Sequence, residues 1–305
     1  MKDTQTKAVA ESRATKLNQI TACIWFDDQA EEAAKFYTSI FRNSNIKETT
    51  YYKTETPSNK PKGSVLTVAF DIEGYQFVGL NGGAQFKPTP SISFFINCET
   101  EVEVDEMWQK LSEGGKVLMP LDKYDFSEKY GWIEDKYGVS WQVILSKSEG
   151  DWRPKIIPSL LFTGEKSGKT KEAIDFYTSV FDDAKEGMAF PYEEPEHKGK
   201  TAFADFMLEG QWFAAMDSPE DVHDFDFNEA LSFYVSCKDQ EEIDYFWEKL
   251  SAVPESEVCG WLKDKFGISW QIVPENIMEL IDSKEAMEAM MQMKKLDIKR
   301  LQQAR

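Results

Sequence analysis

Apolar side chains recur along this chain in two rhythms that alternate. Ala33, Phe36, Tyr37, Ile40 and Phe41 follow the i, i+3, i+4, i+7 spacing that gathers side chains on one helix face. Runs such as Ser64 to Ile72, rich in Val, Leu and Phe and closed by Glu73-Gly74, predict a strand that ends in a tight turn. Short apolar segments, Ala22 to Phe26 and Ser159 to Phe162, predict strands leading into helices. The order is strand, helix, three strands, then strand, helix and further strands, which describes two βαβββ modules.

The same order then repeats. Phe36-Tyr37-Thr38-Ser39-Ile40-Phe41 matches Phe176-Tyr177-Thr178-Ser179-Val180-Phe181, and Gly63 to Leu80 matches Gly199 to Met216. Ser93-Phe94-Phe95 with Cys98, Trp108 and Leu111 corresponds to Ser232-Phe233-Tyr234 with Cys237, Trp247 and Leu250. GWIEDKYGVSWQVI from Gly131 corresponds to GWLKDKFGISWQIV from Gly260. Self-similarity at this length fixes a tandem architecture. It divides into an N-terminal extension (1–18), a first domain (19–146), a linker (147–155), a second domain (156–274) and a C-terminal amphipathic helix (275–305). Ile277, Leu280, Ile281, Met287, Met290, Ile298 and Leu301 give that helix an apolar face to pack on the body.

The copies differ where a lid would sit. Between Leu111 and Gly131 the first copy carries SEGGKVLMPLDKYDFSEKY, whereas the second has only SAVPESEVC between Leu250 and Gly260, so the second pocket is expected to be more open or lost. The second copy also has four extra residues, within TGEKSGKTKE, before its first helix.

Composition narrows the function. Apolar residues at 41% and aromatics at 13% suffice for two cores. A formal charge of -19 repels phosphate backbones and anionic membrane surfaces, so neither nucleic acid nor membrane is an expected partner. Cys23, Cys98, Cys237 and Cys259 are widely spread with no CxxC pair and read as buried free thiols. Without a signal-like or membrane-length apolar run, the chain is expected in the cytoplasm.

Paired βαβββ modules with a helix reading FYTSIF and a hairpin reading D-K-Y-G-V-S-W-Q resemble the vicinal oxygen chelate superfamily, which includes glyoxalases and bleomycin-resistance proteins. Within it the chain is most similar to the PhnB-like, 3-demethylubiquinone 3-methyltransferase-like group. The resemblance implies an α+β fold of two tandem domains, each of paired modules forming a half-open barrel with a concave ligand face.

Metal enzymes of that superfamily line the concave face with His and Glu. Here the first-strand His position falls on Thr21 and Ile157, and the carboxylate slot falls near Val68 and Ala204. The opening of the second module offers Ile92-Ser93 and Leu231-Ser232, and the last-strand Glu is replaced by Gln142 and Gln271. A neutral amide is a poor ligand for a divalent cation, so no metal and no cofactor is expected. His197 and His223 fall in loop-like stretches and read as surface residues, and the acidic group Glu220, Asp221, Asp224 and Asp226 lacks a calcium-loop pattern. Gly82-Gly83 opens onto AQFKPTP, which does not start a nucleotide-binding helix.

The concave face can still hold an organic molecule. By alternation along the strands, Cys23, Trp25, Asn81, Trp132, Glu134 and Gln142 line the first pocket, with Asp217, Trp261 and Gln271 as counterparts in the second. Trp141 and Trp270 read as core, and Cys23, with no histidine near it in sequence, reads as an inert thiol. The expected function is small-molecule binding. The other readings are a metal-independent lyase or isomerase with Glu134 as base, and a sequestering drug-resistance protein. A monomer with an internal pseudo-dimer is expected, with a homodimer left open.

Overall fold

The structure is a computed structural model that describes residues 20–53, 60–146, 152–219 and 223–304. The N-terminal extension, most of the connection between the copies, and Glu220 and Asp221 of the acidic group lie outside the described residues.

The first copy comprises β1 (Ile20–Phe26), α1 (Ala30–Ile40), β2 (Ser44–Tyr51), β3 (Val65–Ile72), β4 (Tyr75–Asn81), β5 (Ile92–Cys98), α2 (Glu101–Ser112), β6 (Lys116–Tyr124), β7 (Ser127–Glu134) and β8 (Ser140–Leu145). The second comprises β9 (Ile156–Phe162), α3 (Thr170–Val180), β10 (Ala184–Pro191), β11 (Thr201–Leu208), β12 (Gln211–Asp217), β13 (Leu231–Cys237), α4 (Gln240–Leu250), β14 (Trp261–Lys263) and β15 (Ser269–Pro274). The β3–β4 turn places Glu73 and Gly74 at φ of 51° and 85°, and Glu209 and Gly210 repeat this at 49° and 77°. Two successive positive φ values match the twist of the flanking strands, which is why each turn needs its glycine.

The strands form two sheets, and each sheet draws on both copies. One has the order β14-β15-β13-β1-β4-β3-β2, the other β10-β11-β12-β9-β5-β8-β7-β6. The joins are antiparallel ladders, Ile20 to Ile24 against Val235 to Leu231, and Ile92 to Ile96 against Leu160 to Ile156. The two modules that share a sheet therefore come from different copies.

Within a copy the modules meet face to face. Ile20, Ala22, Ile24, Phe70 and Phe77 of the seven-stranded sheet enter the same buried core as Phe94, Ile133, Trp141 and Val143 of the eight-stranded sheet. The two most specific sequence motifs join there. Asp135 accepts hydrogen bonds from Tyr37 Oη (2.7 Å), Trp141 Nε1 (2.8 Å) and the backbone N–H of Tyr137 (2.8 Å) and Val139 (3.0 Å). Asp264 repeats the arrangement with Tyr177, Trp270, Phe266 and Ile268. Burial pushes both carboxyls above the usual carboxylate range, against four donors each.

The C-terminal region differs from the single helix expected. It forms α5 (Ile277–Leu280), α6 (Lys284–Met291) and α7 (Ile298–Gln303). Ser283 caps α6 by accepting from Ala286 N, Asp297 caps α7 by accepting from Arg300 N, and Met293 and Lys294 accept hydrogen bonds from Cys259 and Gly260 at the edge of β14. Among the described helices none is long and apolar enough to cross a membrane.

Candidate functional site

Helices cover one face of each sheet; the opposite, open face is where the resemblance puts a ligand. Alternation settles which side chains lie there. On β9, Ile156, Leu160 and Phe162 enter the core while Ile157 and Leu161 join a separate cluster with Phe95, Tyr130, Trp132, Trp212 and Ala214. Phe203, Met207, Met216, Ile144 and Phe225 pack on it, half-buried. The open face of the eight-stranded sheet is thus an aromatic and methionine-rich bed built by both copies.

A polar row crosses this bed. Strand register aligns Asp205, Ala214, Ser159, Ser93, Ser140, Glu134 and Lys116 across successive strands. Ser140 Oγ accepts from Trp132 Nε1 (2.7 Å), and Ser93 Oγ accepts from Gln142 Nε2 (2.8 Å), whose Oε1 accepts from Tyr130 Oη (2.7 Å). Asp205 receives Arg153 Nε at 2.7 Å and Met188 N at 2.6 Å, and the Arg153 guanidinium stacks 3.6 Å over Trp212. Ser159 Oγ, fully buried, has no hydrogen-bond partner among the described residues. Above Trp132 lies Phe225 with the His223 ring stacked on it at 4.7 Å. His223 is therefore half-buried rather than a surface residue, and that burial holds its imidazole below the usual histidine range, against the pull of Asp224.

The seven-stranded sheet carries a related but different row: Ala69, Val78, Cys23, Ser232, Ser269 and Lys263. Burial pushes the Cys23 thiol up to about 11, against hydrogen bonds with Gln271 and Ser232. Gln271 Nε2 donates to Ser232 Oγ at 2.9 Å. Ser269 Oγ is left without the indole that its counterpart Ser140 accepts, since Trp261 turns edge-on to Trp25 with centroids 6.1 Å apart. Trp25 donates to Gly83 O (2.7 Å) and lies so close over Gly82 that a Cβ there would be 2.1 Å from the indole. Gly82-Gly83 is a seat for Trp25.

This face is also covered at its margins. Lys53, next to β2 at one edge, donates to Asp282 O, while Met293 and Lys294 bond beside β14 at the other. Tyr234 and Val273 of the face share a cluster with Ile277, Leu280, Ile281, Met293 and Leu296. The shorter second copy is expected to leave its pocket more open or lost; the C-terminal segment occupies the edge where a counterpart of β6 would lie.

Seven of the sequence-selected residues (Cys23, Trp25, Trp132, Glu134, Gln142, Trp261 and Gln271) lie on open faces, divided between the two sheets. Asn81 and Asp217 do not. Asn81 Oδ1 accepts from Ala30 N (2.9 Å) at the start of α1, and its Nδ2 donates to Val65 O (3.1 Å). Asp217 accepts from Gly168 N, Thr170 N and Thr201 N at 2.7, 3.2 and 2.7 Å. Both side chains tie a helix start to the sheet from the core side. Alternation also corrects the carboxylate slot: Val68 and Ala204 point into the core, and their open-face neighbours include Asp205. Phe203 and Met207, flanking Asp205 at two-residue spacing, are the sequence signal that could have found it.

Among the described residues no three His, Cys, Asp or Glu side chains come together, and the one deeply buried open-face carboxylate, Asp205, is held by Arg153.

A profile of the 3-demethylubiquinone-9 3-methyltransferase family matches residues 18–144 and again 154–273. The chain belongs to this family. It is 40% identical to a 3-demethylubiquinone-9 3-methyltransferase-like PhnB protein from Bacillus cereus, spanning 43% of this chain and 100% of that one, with a TM-score of 0.39. Glyoxalase I from Zea mays aligns over 84% of this chain and 92% of its own at 12% identity and a TM-score of 0.55, a likeness of fold. No curated protein matches the chain significantly.

Proposed function

We propose that this family member binds a small organic molecule on the open face of the eight-stranded sheet, with both copies supplying the lining. The observation that carries the reading is the bed of Phe95, Trp132, Trp212 and Phe225 around a buried hydroxyl, Ser159, that has no partner among the described residues. A mostly apolar surface with few fixed polar groups is the usual make-up of a small-molecule site. The seven-stranded face is the weaker candidate, because the C-terminal segment and the Trp25–Trp261 pair cover it.

Native mass spectrometry with elemental analysis of freshly purified protein tests this. A co-purifying organic mass that disappears in Trp132→Ala supports the reading. A metal at one per copy, or an organic mass retained in that variant, overturns it.

A further inference from the structure

We infer that the ligand of the eight-stranded face is an uncharged aromatic compound bearing one hydrogen-bonding oxygen or nitrogen, received by Ser159 Oγ. The inference rests on the proposed binding site and names the chemistry it selects.

Among the described residues, four buried side-chain groups lack partners: Tyr75 Oη, Thr170 Oγ1, Ser269 Oγ and Ser159 Oγ. Tyr75 packs into the core between the modules and Thr170 sits at the buried start of α3. Ser269 lies on the covered seven-stranded face. Ser159 alone faces the aromatic bed, at the centre of its sheet, where β9 meets β5. An orphan hydroxyl is unfavourable unless something else supplies the bond. The pseudo-equivalent position holds Cys23, whose thiol is a weak donor, so the hydroxyl is particular to this face.

Charge beside Ser159 decides the rest, since Lys185, which lies over Trp212, belongs to the edge strand β10, three strands from β9. Ser159 is flanked in its row by Ala214 and Ser93, neither of which carries charge. The Asp205 carboxylate is 3% exposed and already holds Arg153, so the pair has no net charge to offer a ligand ion. Glu134 is half-exposed at the far end of the row, paired in register with Lys116. An ammonium or carboxylate set beside Ser159 would lose its water without a counter-ion, whereas a phenol-like group would lose little and gain one bond. Trp132, Phe95 and Trp212 supply the surface for a ring.

Toluene, p-cresol, benzoate and benzylamine, added separately to the full chain, differ mainly in that one substituent. Binding is read by calorimetry and by quenching of tryptophan fluorescence, in the wild type and in Ser159→Ala. The variant loses only an orphan group, so its unfolding midpoint is expected to be unchanged or raised. The expected result is p-cresol binding about tenfold tighter than toluene in the wild type, with that preference gone in Ser159→Ala. Tighter binding of benzoate or benzylamine, a p-cresol preference that survives the substitution, or no preference at all overturns the inference while toluene binding leaves the site standing. If none of the four binds, both the inference and the site reading fall.

Discussion

At the scale of single residues, Asp135 and Asp264 explain why two distant motifs recur together. The aspartate of the hairpin is the acceptor for the tyrosine of FYTSIF and the tryptophan of SWQ, so neither motif makes sense alone. Asp135→Asn keeps the shape but turns one acceptor into a donor facing the Trp141 indole. It is expected to cost about 2–4 kcal/mol, the penalty of unpaired buried donors, measured as a drop in urea unfolding free energy. A loss below about 0.5 kcal/mol would show that the network tolerates rearrangement. Buried thiols give a second residue-level expectation. Cys23 is raised from 9.0 to about 11 by burial, so the folded state favours the protonated form. Its contribution is complete below pH 9 and is lost as pH climbs through 11, so the urea midpoint should fall over that window and fall less in Cys23→Ser. Candidate site residues were legible to the extent that alternation placed them. Trp132, Gln142 and Cys23 take the open face that alternation gives them, whereas Asn81 and Asp217, chosen one position out, share the core parity of Phe77 and Phe213 and accept backbone N–H groups at a helix start.

Secondary-structure elements were read well where apolar period and turn signals agreed, as in α1, β3 and β4. They were misread in the C-terminal region, where periodicity alone suggests one helix. Ser283 and Asp297 are ordinary cap residues and interrupt it twice, and in the stretch between α6 and α7 Met293 and Lys294 accept from Cys259 and Gly260 just before β14. That stretch replaces a strand the second copy lacks. Met293, Leu296 and Leu301 are buried, and each apolar side chain of this size contributes roughly 1.5–3 kcal/mol. Deleting residues 282–305 should therefore lower the unfolding free energy by several kcal/mol and raise binding of an apolar dye as Tyr234 and Val273 are exposed. An unchanged midpoint would mean that the segment is an appendage.

Across the whole molecule, the sequence showed two copies but not how they share sheets. Repeats report which modules are homologous; they carry no signal for whether a module's sheet partner lies in its own copy or in the other. Both arrangements bury the same alternating faces, so periodicity cannot separate them. The ladders β1 with β13 and β5 with β9 make the copies interdependent, since separating them would expose two strand edges in each. A specific protease site inserted within residues 147–151 provides the test. After complete cleavage the two pieces should co-elute at the volume of the intact chain and unfold in one transition, because ten backbone-paired positions and the open-face cluster cross between them. Two independently folded domains would instead separate on the column, each with its own melting transition. Co-elution also predicts that ligand binding survives cleavage and disappears when either half is presented alone, as Trp132 and Ser93 come from one copy while Ser159 and Trp212 come from the other.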